Sequence, residues 1–346
     1  MIDGRLMRRV WLTALVHCAT LFCGIAAAAP LLPDLIAWAD ESRGYMYDGF
    51  IDKNFVPGKV VYRFDGALPN IGAGPLEVRE VTHPNQTQDV YQRIYDSQGG
   101  DPTEQLIGTF PDANPTAPRH LWLPGIAQYK FRAVTAEGGV GELLSSNDKT
   151  SMAVVDSVAY VPPPPGTPPT REYTSVSAEI LGISIGYADL YGIGFEGQWA
   201  DATGLASGTY WLEVTVNPYG DTPAGRIVES DYSNNTARIL VDLLPGDYND
   251  DGLVDAADYT VWRDTLGESV AVLTTGADGD GDGQVTTGDY EVWRENFGVT
   301  LSLGGGASSA VVPEPASVSH VLLAIVVAGL AMNRGLLRSV SVELGR

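Results

Sequence analysis

Cysteine is nearly absent from the chain: it occurs twice in 346 residues, as Cys18 and Cys23. Both cysteines lie in an apolar N-terminal run, which we expect to be removed from the mature protein. The mature chain would then hold no cysteine, and this excludes disulfides and thiolate metal sites.

Positive charge is also scarce. The chain has 21 Lys+Arg against 43 Asp+Glu, which gives a formal net charge of -22 and a pI of about 4.3. Nucleic acid is excluded as a partner, because its binding depends on Lys and Arg contacts to phosphate. With 40 Gly, 22 Pro and only 18% charged residues, the composition favours turn-rich β structure over helical bundles.

The first 29 residues are typical of a secretory signal peptide. Arg5, Arg8 and Arg9 form a basic start, residues 10–25 are apolar, and residues 26–29 are small alanines suited to cleavage. The alternative is an uncleaved membrane anchor. Cleavage predicts a secreted protein.

The C-terminal segment, residues 312–346, carries a second targeting pattern. Pro313-Glu314-Pro315 precedes an apolar stretch at 318–332 and then Arg334 and Arg338. The apolar stretch is shorter than the about 20 residues that span a bilayer, and basic residues after it favour a cytoplasmic tail. This order resembles the PEP-CTERM sorting signal of Gram-negative bacteria with exosortases. The resemblance implies a transient membrane segment and a final place on the outer cell surface or in the extracellular matrix; the alternative is a plain anchor.

Two acidic segments, residues 247–258 and 278–289, repeat one pattern. Oxygen-bearing side chains stand at loop positions 1, 3, 5, 9 and 12, and glycine stands at position 6. Hard oxygen ligands around a sharp glycine turn are typical of calcium loops, in which position 7 ligates through its carbonyl. The predicted calcium ligands are Asp247, Asn249, Asp251, Leu253, Asp255 and Asp258 in the first loop, and Asp278, Asp280, Asp282, Gln284, Thr286 and Asp289 in the second.

Each loop continues into a matching segment, Tyr-Thr-Val-Trp-Arg from Tyr259 and Tyr-Glu-Val-Trp-Arg from Tyr290, which we predict to be helical. The repeated loop–helix over residues 244–299 resembles a type I dockerin, which implies a cohesin-like protein as a possible partner. Residues 247–298 hold 13 acidic and 2 basic side chains. Folding of this region should therefore be coupled to calcium, which offsets the repulsion.

The region from residue 30 to residue 243 alternates short apolar runs with Gly, Pro and Asn turns. Segments 59–64, 129–134 and 210–216 are examples, rich in β-branched and aromatic residues. This pattern predicts a β-sandwich. The whole chain is thus expected to be mainly β, with a small α-helical calcium-loop domain and a linker at 300–311.

A series of motifs in this region resembles the lysyl oxidase catalytic domain in a short bacterial form. They lie at residues 32–35, 63–64, 70–76, 90–95, 182–191, 197–203, 208–212 and 229–235. The resemblance implies an amine oxidase that uses copper and a lysine tyrosylquinone, whose precursors would be Lys149 and Tyr191. The family's three clustered copper histidines are represented by His120 alone, and His83 lies in a different segment.

The same resemblance implies a structural calcium site that joins the two ends of this domain. Its ligands would be Asp34, Leu35, Glu229, Asp231, Asn234 and Asn235. Ligation by oxygen alone suits calcium. The alternative is an Asp- and Asn-rich turn with no metal.

Three functions remain open at this stage. The one we favour is a secreted, surface-sorted, non-catalytic calcium-binding protein with an adhesive or structural role on a lysyl-oxidase-like scaffold. The second is a copper- and quinone-dependent protein-lysine oxidase with replacement ligands. The third is a dockerin-borne component of a polysaccharide-degrading assembly.

Overall fold

The computed structural model of the protein describes residues 28–85, 87–111, 125–149, 153–195, 197–218, 227–270 and 277–301. Residues 1–27 of the predicted signal peptide, the predicted sorting segment and the candidate copper ligand His120 lie outside these residues. Neither of the described α-helices has the length and apolar character needed to cross a membrane.

The described part of the chain is mainly β, as predicted. A 3-10 turn forms at Glu41–Arg43. The strands are β1 (Pro30–Leu31), β2 (Gly49–Asp52), β3 (Val61–Phe64), β4 (Gly66–Pro69), β5 (Leu76–Thr82), β6 (Thr87–Asp96), β7 (Thr103–Pro111), β8 (Ala127–Val134), β9 (Val140–Asp148), β10 (Val158–Ala159), β11 (Ile180–Ile183), β12 (Tyr187–Tyr191), β13 (Trp199–Asp201), β14 (Gly208–Val216) and β15 (Thr236–Leu243); the helices are α1 (Ala256–Thr265) and α2 (Thr287–Asn296).

These strands form four antiparallel sheets. Their orders are β1-β6-β5-β11 with β7 also paired to β6, β10-β12-β4, β13-β3-β2, and β15-β14-β8-β9. Alternate residues of a strand face opposite sides of its sheet, and β8 shows this directly: Tyr129 and Phe131 are buried, whereas Lys130 and Arg132 are half-buried. We call residues 28–243 the β domain.

One hydrophobic core joins the sheets of the β domain. At its centre the Phe64 and Tyr129 rings lie edge to face with centroids 5.1 Å apart, and Phe131 meets Tyr210 edge to face at 6.0 Å. Such edge-to-face pairs add stability beyond the burial of their area. The core fixes β3, β8 and β14 against one another, and these strands carry or adjoin the residues discussed below.

Residues 244–301 follow β15 directly, and we call them the two-loop module. Leu244 is buried, and Gly246 has φ +95. A side chain at Gly246 would place its Cβ 2.9 Å from the Trp293 Cα, so glycine allows this close approach to α2. The module is therefore packed from its first residues.

Candidate functional site

The two acidic loops have the same backbone shape. At loop position 4, Asp250 has φ +56 and Gly281 has φ +76. At position 6, Gly252 and Gly283 have φ +84 and +87. Left-handed backbone at two positions in each loop turns the chain sharply around one centre, as a calcium loop requires.

The carboxylates at the two ends of each loop hold it closed. Asp247 Oδ2 accepts a hydrogen bond from the Gly252 N–H at 2.8 Å, and Asp278 Oδ2 accepts one from Gly283 at 2.9 Å. At position 12, Asp258 and Asp289 are fully buried. Their carboxylates accept backbone N–H groups from positions 2, 3 and 9 of their own loops.

The remaining predicted loop ligands also lie along the loops. The Asn249 and Asp251 side chains accept hydrogen bonds from backbone N–H groups two residues further along the first loop. The Asp280 and Asp282 side chains accept the equivalent bonds in the second loop. Asp255 and Thr286, at position 9, cap α1 and α2. Leu253 and Gln284, at position 7, form isolated bridges with Thr300 and Ser269.

Calcium fits the chemistry of these donors. Ligand oxygens of Asp278, Asp280 and Asp282 lie within 4.8 Å of one another. Burial, and then the charges of Asp289 and Asp282, raise the pKa of the Asp280 carboxyl to about 6. The ionised oxygens repel one another, and a divalent cation would relieve that repulsion.

Each repeat holds the loop of the other in place. The Trp262 indole N–H donates to the Thr286 carbonyl at 2.6 Å, and Trp293 donates to Asp255 at 2.7 Å. Both carbonyls belong to position 9 of the opposite loop. The two loop–helix units therefore contact each other reciprocally.

The predicted calcium ligands of the β domain lie close together as well. The Leu35 N–H donates to Glu229 Oε2 at 2.7 Å, and Asn235 Nδ2 donates to Glu229 Oε1 at 2.6 Å. Asn234 Nδ2 donates to Asp34 Oδ1 at 2.8 Å. Asp231 is exposed and accepts from the Ser233 N–H. Burial, and then the charge of Asp231, raise the pKa of Asp34, although Asn234 donates to it.

This cluster has unused oxygen atoms. Buried Oδ1 atoms of Asn234 and Asn235 have no hydrogen-bond partner among the described residues. Burial raises the pKa of Glu229 to about 7, although Asn217 and Asn235 donate to it. Unpartnered oxygens beside a desolvated carboxylate fit a hard cation such as calcium.

Lys149 and Tyr191, the two predicted quinone precursors, are in contact. Lys149 Nζ lies 3.8 Å from the centroid of the Tyr191 ring, and Lys149 is fully buried. The Tyr191 hydroxyl donates to the Ala153 carbonyl at 2.8 Å. Burial lowers the pKa of Lys149 to about 8, against the opposing effect of Asp189.

Two neighbours of this pair escaped the sequence analysis. Asp189 is buried in β12, two residues before Tyr191 and therefore on the same face, and burial raises its pKa to about 7. Gln198 Oε1 accepts from the Tyr129 hydroxyl at 2.7 Å and from Lys149 Nζ at 3.3 Å. For Asp189, the available sequence signal was a charged residue inside the otherwise apolar strand β12.

Copper does not fit the described residues around this pair. His83 is the one histidine within the described ranges, and its Nε2 lies 2.9 Å from Asp89 Oδ2 in the β5–β6 region. A first-row metal such as copper is held in proteins chiefly by imidazole or thiolate ligands. The described part of the chain offers Lys149 and Tyr191 no such donors.

Comparison with known proteins relates part of the β domain to a family. Residues 165–246 match the family model for lysyl oxidase. This segment includes β11 to β15 with Tyr191 and Glu229, but it does not reach Lys149. The segment is therefore lysyl oxidase-like.

Individual relatives agree with this assignment. The chain is 27% identical over 133 residues to lysyl oxidase homolog 4 of Mus musculus, which covers 37% of this chain and 16% of the relative. It is 42% identical over 62 residues to protein-lysine 6-oxidase of Homo sapiens, and this match covers 18% of this chain and 14% of the relative. It is 34% identical over 65 residues to lysyl oxidase homolog 2 of Xenopus laevis, a match that covers 19% of this chain and 8% of the relative. The matches thus span less than a fifth of each of these three relatives.

Proposed function

We propose that this protein is a secreted, surface-sorted calcium-binding protein whose lysyl oxidase-like β domain is non-catalytic and serves an adhesive or structural role. The observation that carries the proposal is the pair of matched loops, with left-handed backbone at the same positions and carboxylates at the same ends. Two such loops in one module are suited to two calcium ions.

The non-catalytic part of the proposal rests on metal chemistry. The resemblance requires three clustered histidines, and the chain has His120 alone in that segment. Lys149 and Tyr191 can only become a quinone through an oxidation that the metal supports. A buried ammonium group against a ring face is by itself a stable arrangement.

Calcium titration of the purified full chain by isothermal calorimetry tests the proposal. We expect two calcium ions in the module and a third in the Asp34–Glu229 cluster. Asp278→Ala should remove one ion, whereas Asp264→Ala, an exposed aspartate outside both loops, should remove none. Absence of calcium uptake would refute the proposal.

A second function, amine oxidation with replacement copper ligands, is favoured by one observation: the 3.8 Å contact between Lys149 Nζ and the Tyr191 ring. Peroxide release from a primary amine after copper loading would support it. The third alternative, a place in a polysaccharide-degrading assembly, depends on a cohesin-like partner, and the resemblance of residues 244–299 to dockerins supports it. Binding of the full chain to an immobilised cohesin would test that partner.

A further inference from the structure

The second acidic loop touches the β domain. Asn54 Nδ2, in the segment after β2, donates to the carbonyl of Asp280 at 2.9 Å. The next residue, Gly281, lies directly against Asp52: a side chain at Gly281 would place its Cβ 2.9 Å from Asp52 Cγ and 3.3 Å from Asp52 Cα. Asp280 is a predicted calcium ligand, so the contact lies at the metal loop itself.

The β-domain side of this contact is rigidly anchored. Asp52 is only 1% exposed, and its Oδ2 lies 2.8 Å from Arg63 Nη1 on β3. Asp52 Oδ1 also accepts the N–H groups of Asn54 and Phe55, both at 2.8 Å. The Arg63 guanidinium stacks 3.8 Å from the Phe55 ring centroid and donates to the carbonyl of Ile193. A buried charge is retained only when it is paired and hydrogen-bonded in this way.

The short connection between the two units preserves the contact. β15 ends at Leu243, Leu244 is buried, and Gly246 packs on the backbone of Trp293. Three residues, 244–246, thus separate β15 from the first loop. A connection of this length limits how far the module can move away from the β domain.

We propose that the second loop is a docking element for the β domain, so that calcium bound in it stabilises strands β2 and β3 as well as the module. The inference rests on the proposed calcium-binding function and adds regulation by the cation to it. Without the ion, repulsion among Asp278, Asp280 and Asp282 loosens the turn that presents the Asp280 carbonyl to Asn54. A ligand that binds only the docked, folded state shifts the equilibrium towards that state.

The two loops supply a matched pair of substitutions. Position 4 is Gly281 in the second loop and Asp250 in the first, both with positive φ. A side chain is therefore compatible with the loop at this position, and asparagine tolerates left-handed backbone. Gly281→Asn should clash with Asp52, whereas Asp250→Asn keeps its size and leaves the contact alone.

Hydrogen exchange of the full chain, with calcium and with a chelator, is the test. We expect calcium to slow amide exchange in residues 49–64 about tenfold or more in the wild type and in Asp250→Asn. In Gly281→Asn the effect on this segment should disappear while α2 is still protected. If calorimetry shows that Gly281→Asn binds less calcium, Asn54→Ala replaces it in the test, because this substitution leaves the loop sequence intact. Calcium should then fail to slow amide exchange in residues 49–64 of Asn54→Ala.

Two outcomes would overturn this inference, and a third would refute the proposed function as well. Two calcium ions bound in the module with exchange at 49–64 unchanged would overturn this inference alone. Equal behaviour of wild type, Gly281→Asn and Asn54→Ala would also overturn it. No calcium uptake by calorimetry would refute the proposed function and this inference together.

Discussion

The ammonium group of Lys149 rests 3.8 Å from the centre of the Tyr191 ring, in a fully buried position. The two residues are 42 positions apart in the sequence, and the core brings the end of β9 against β12. The ring face and the Gln198 oxygen partly satisfy the ammonium group. Joining the amine to the ring as a quinone would require oxidation of the tyrosine, so chemistry at this pair depends on an oxidant such as a copper site would supply.

The first prediction is that Lys149 and Tyr191 stay unlinked. Copper-loaded protein should yield separate Lys149 and Tyr191 peptides in a tryptic map and release no peroxide from primary amines. The reason is the shortage of imidazole ligands, since binding of a first-row metal depends on several such donors together.

Tyr191→Phe, which cannot form a quinone, is the blank for that measurement. A joined peptide with quinone absorbance in the wild type, absent from the blank, would contradict the prediction and establish the oxidase. His120→Ala should then abolish the colour.

The second prediction concerns pH. The folded-state pKa of Lys149 is about 8, against 10.5 for the free side chain, so between these values the unfolded chain binds more protons. Stability therefore rises with pH in this window. Relative to Lys149→Met, the wild type should gain about 2 kcal/mol of unfolding free energy between pH 7.5 and pH 9.5.

Urea unfolding at the two pH values measures this gain. Lys53→Met, at a half-buried lysine elsewhere in the β domain, provides the comparison for replacing a lysine by methionine. Parallel pH profiles for the wild type and Lys149→Met would show that Lys149 is not desolvated.

The mainly β fold could be predicted from the sequence because its strands obey simple rules. In β8, apolar Tyr129 and Phe131 alternate with Lys130 and Arg132, and the structure buries the first pair and leaves the second pair half-buried. The four-sheet arrangement could not be derived in this way. It depends on distant pairings such as β3 with β13, which local periodicity does not encode.

The candidate sites show the same division. The calcium loops are continuous in sequence, so their spacing alone predicts which residues surround one centre. Asp189 and Gln198 were missed because their partners, Lys149 and Tyr129, lie in distant segments of the chain. The contact of Asn54 with Asp280 joins residues 226 positions apart, and no local pattern signals it.

The third prediction concerns Glu229. Glu229→Gln converts one acceptor oxygen into a donor that faces the N–H of Leu35 or the amide groups of Asn217 and Asn235. Losing at least one buried hydrogen bond should lower the unfolding free energy by about 2 kcal/mol. Calorimetry should also show one calcium ion fewer.

Exposed Glu142→Gln is the matched substitution and should change stability by less than about 0.5 kcal/mol. Equal unfolding curves for Glu229→Gln and Glu142→Gln would mean that the Glu229 hydrogen bonds contribute nothing. An unchanged calcium count would remove Glu229 from the metal site.

The fourth prediction is a crossed effect between the two repeats. Trp262 donates its indole N–H to Thr286 of the second loop, and Trp293 donates to Asp255 of the first. Trp262→Phe should therefore weaken calcium binding in the second loop, and Trp293→Phe in the first. Loss of one buried hydrogen bond, about 1.4 kcal/mol, corresponds to about tenfold in affinity.

Calorimetry resolves the crossed effect when one loop is silenced in each background, the first by Asp247→Ala and the second by Asp278→Ala. Trp211→Phe is the matched control, because the Trp211 indole donates to Gly139 within the β domain. It should leave both calcium affinities unchanged. If each module substitution instead weakened only the loop of its own repeat, the indole bonds would not position the opposite loop. The two repeats would then bind calcium as separate units, despite the reciprocal contacts between them.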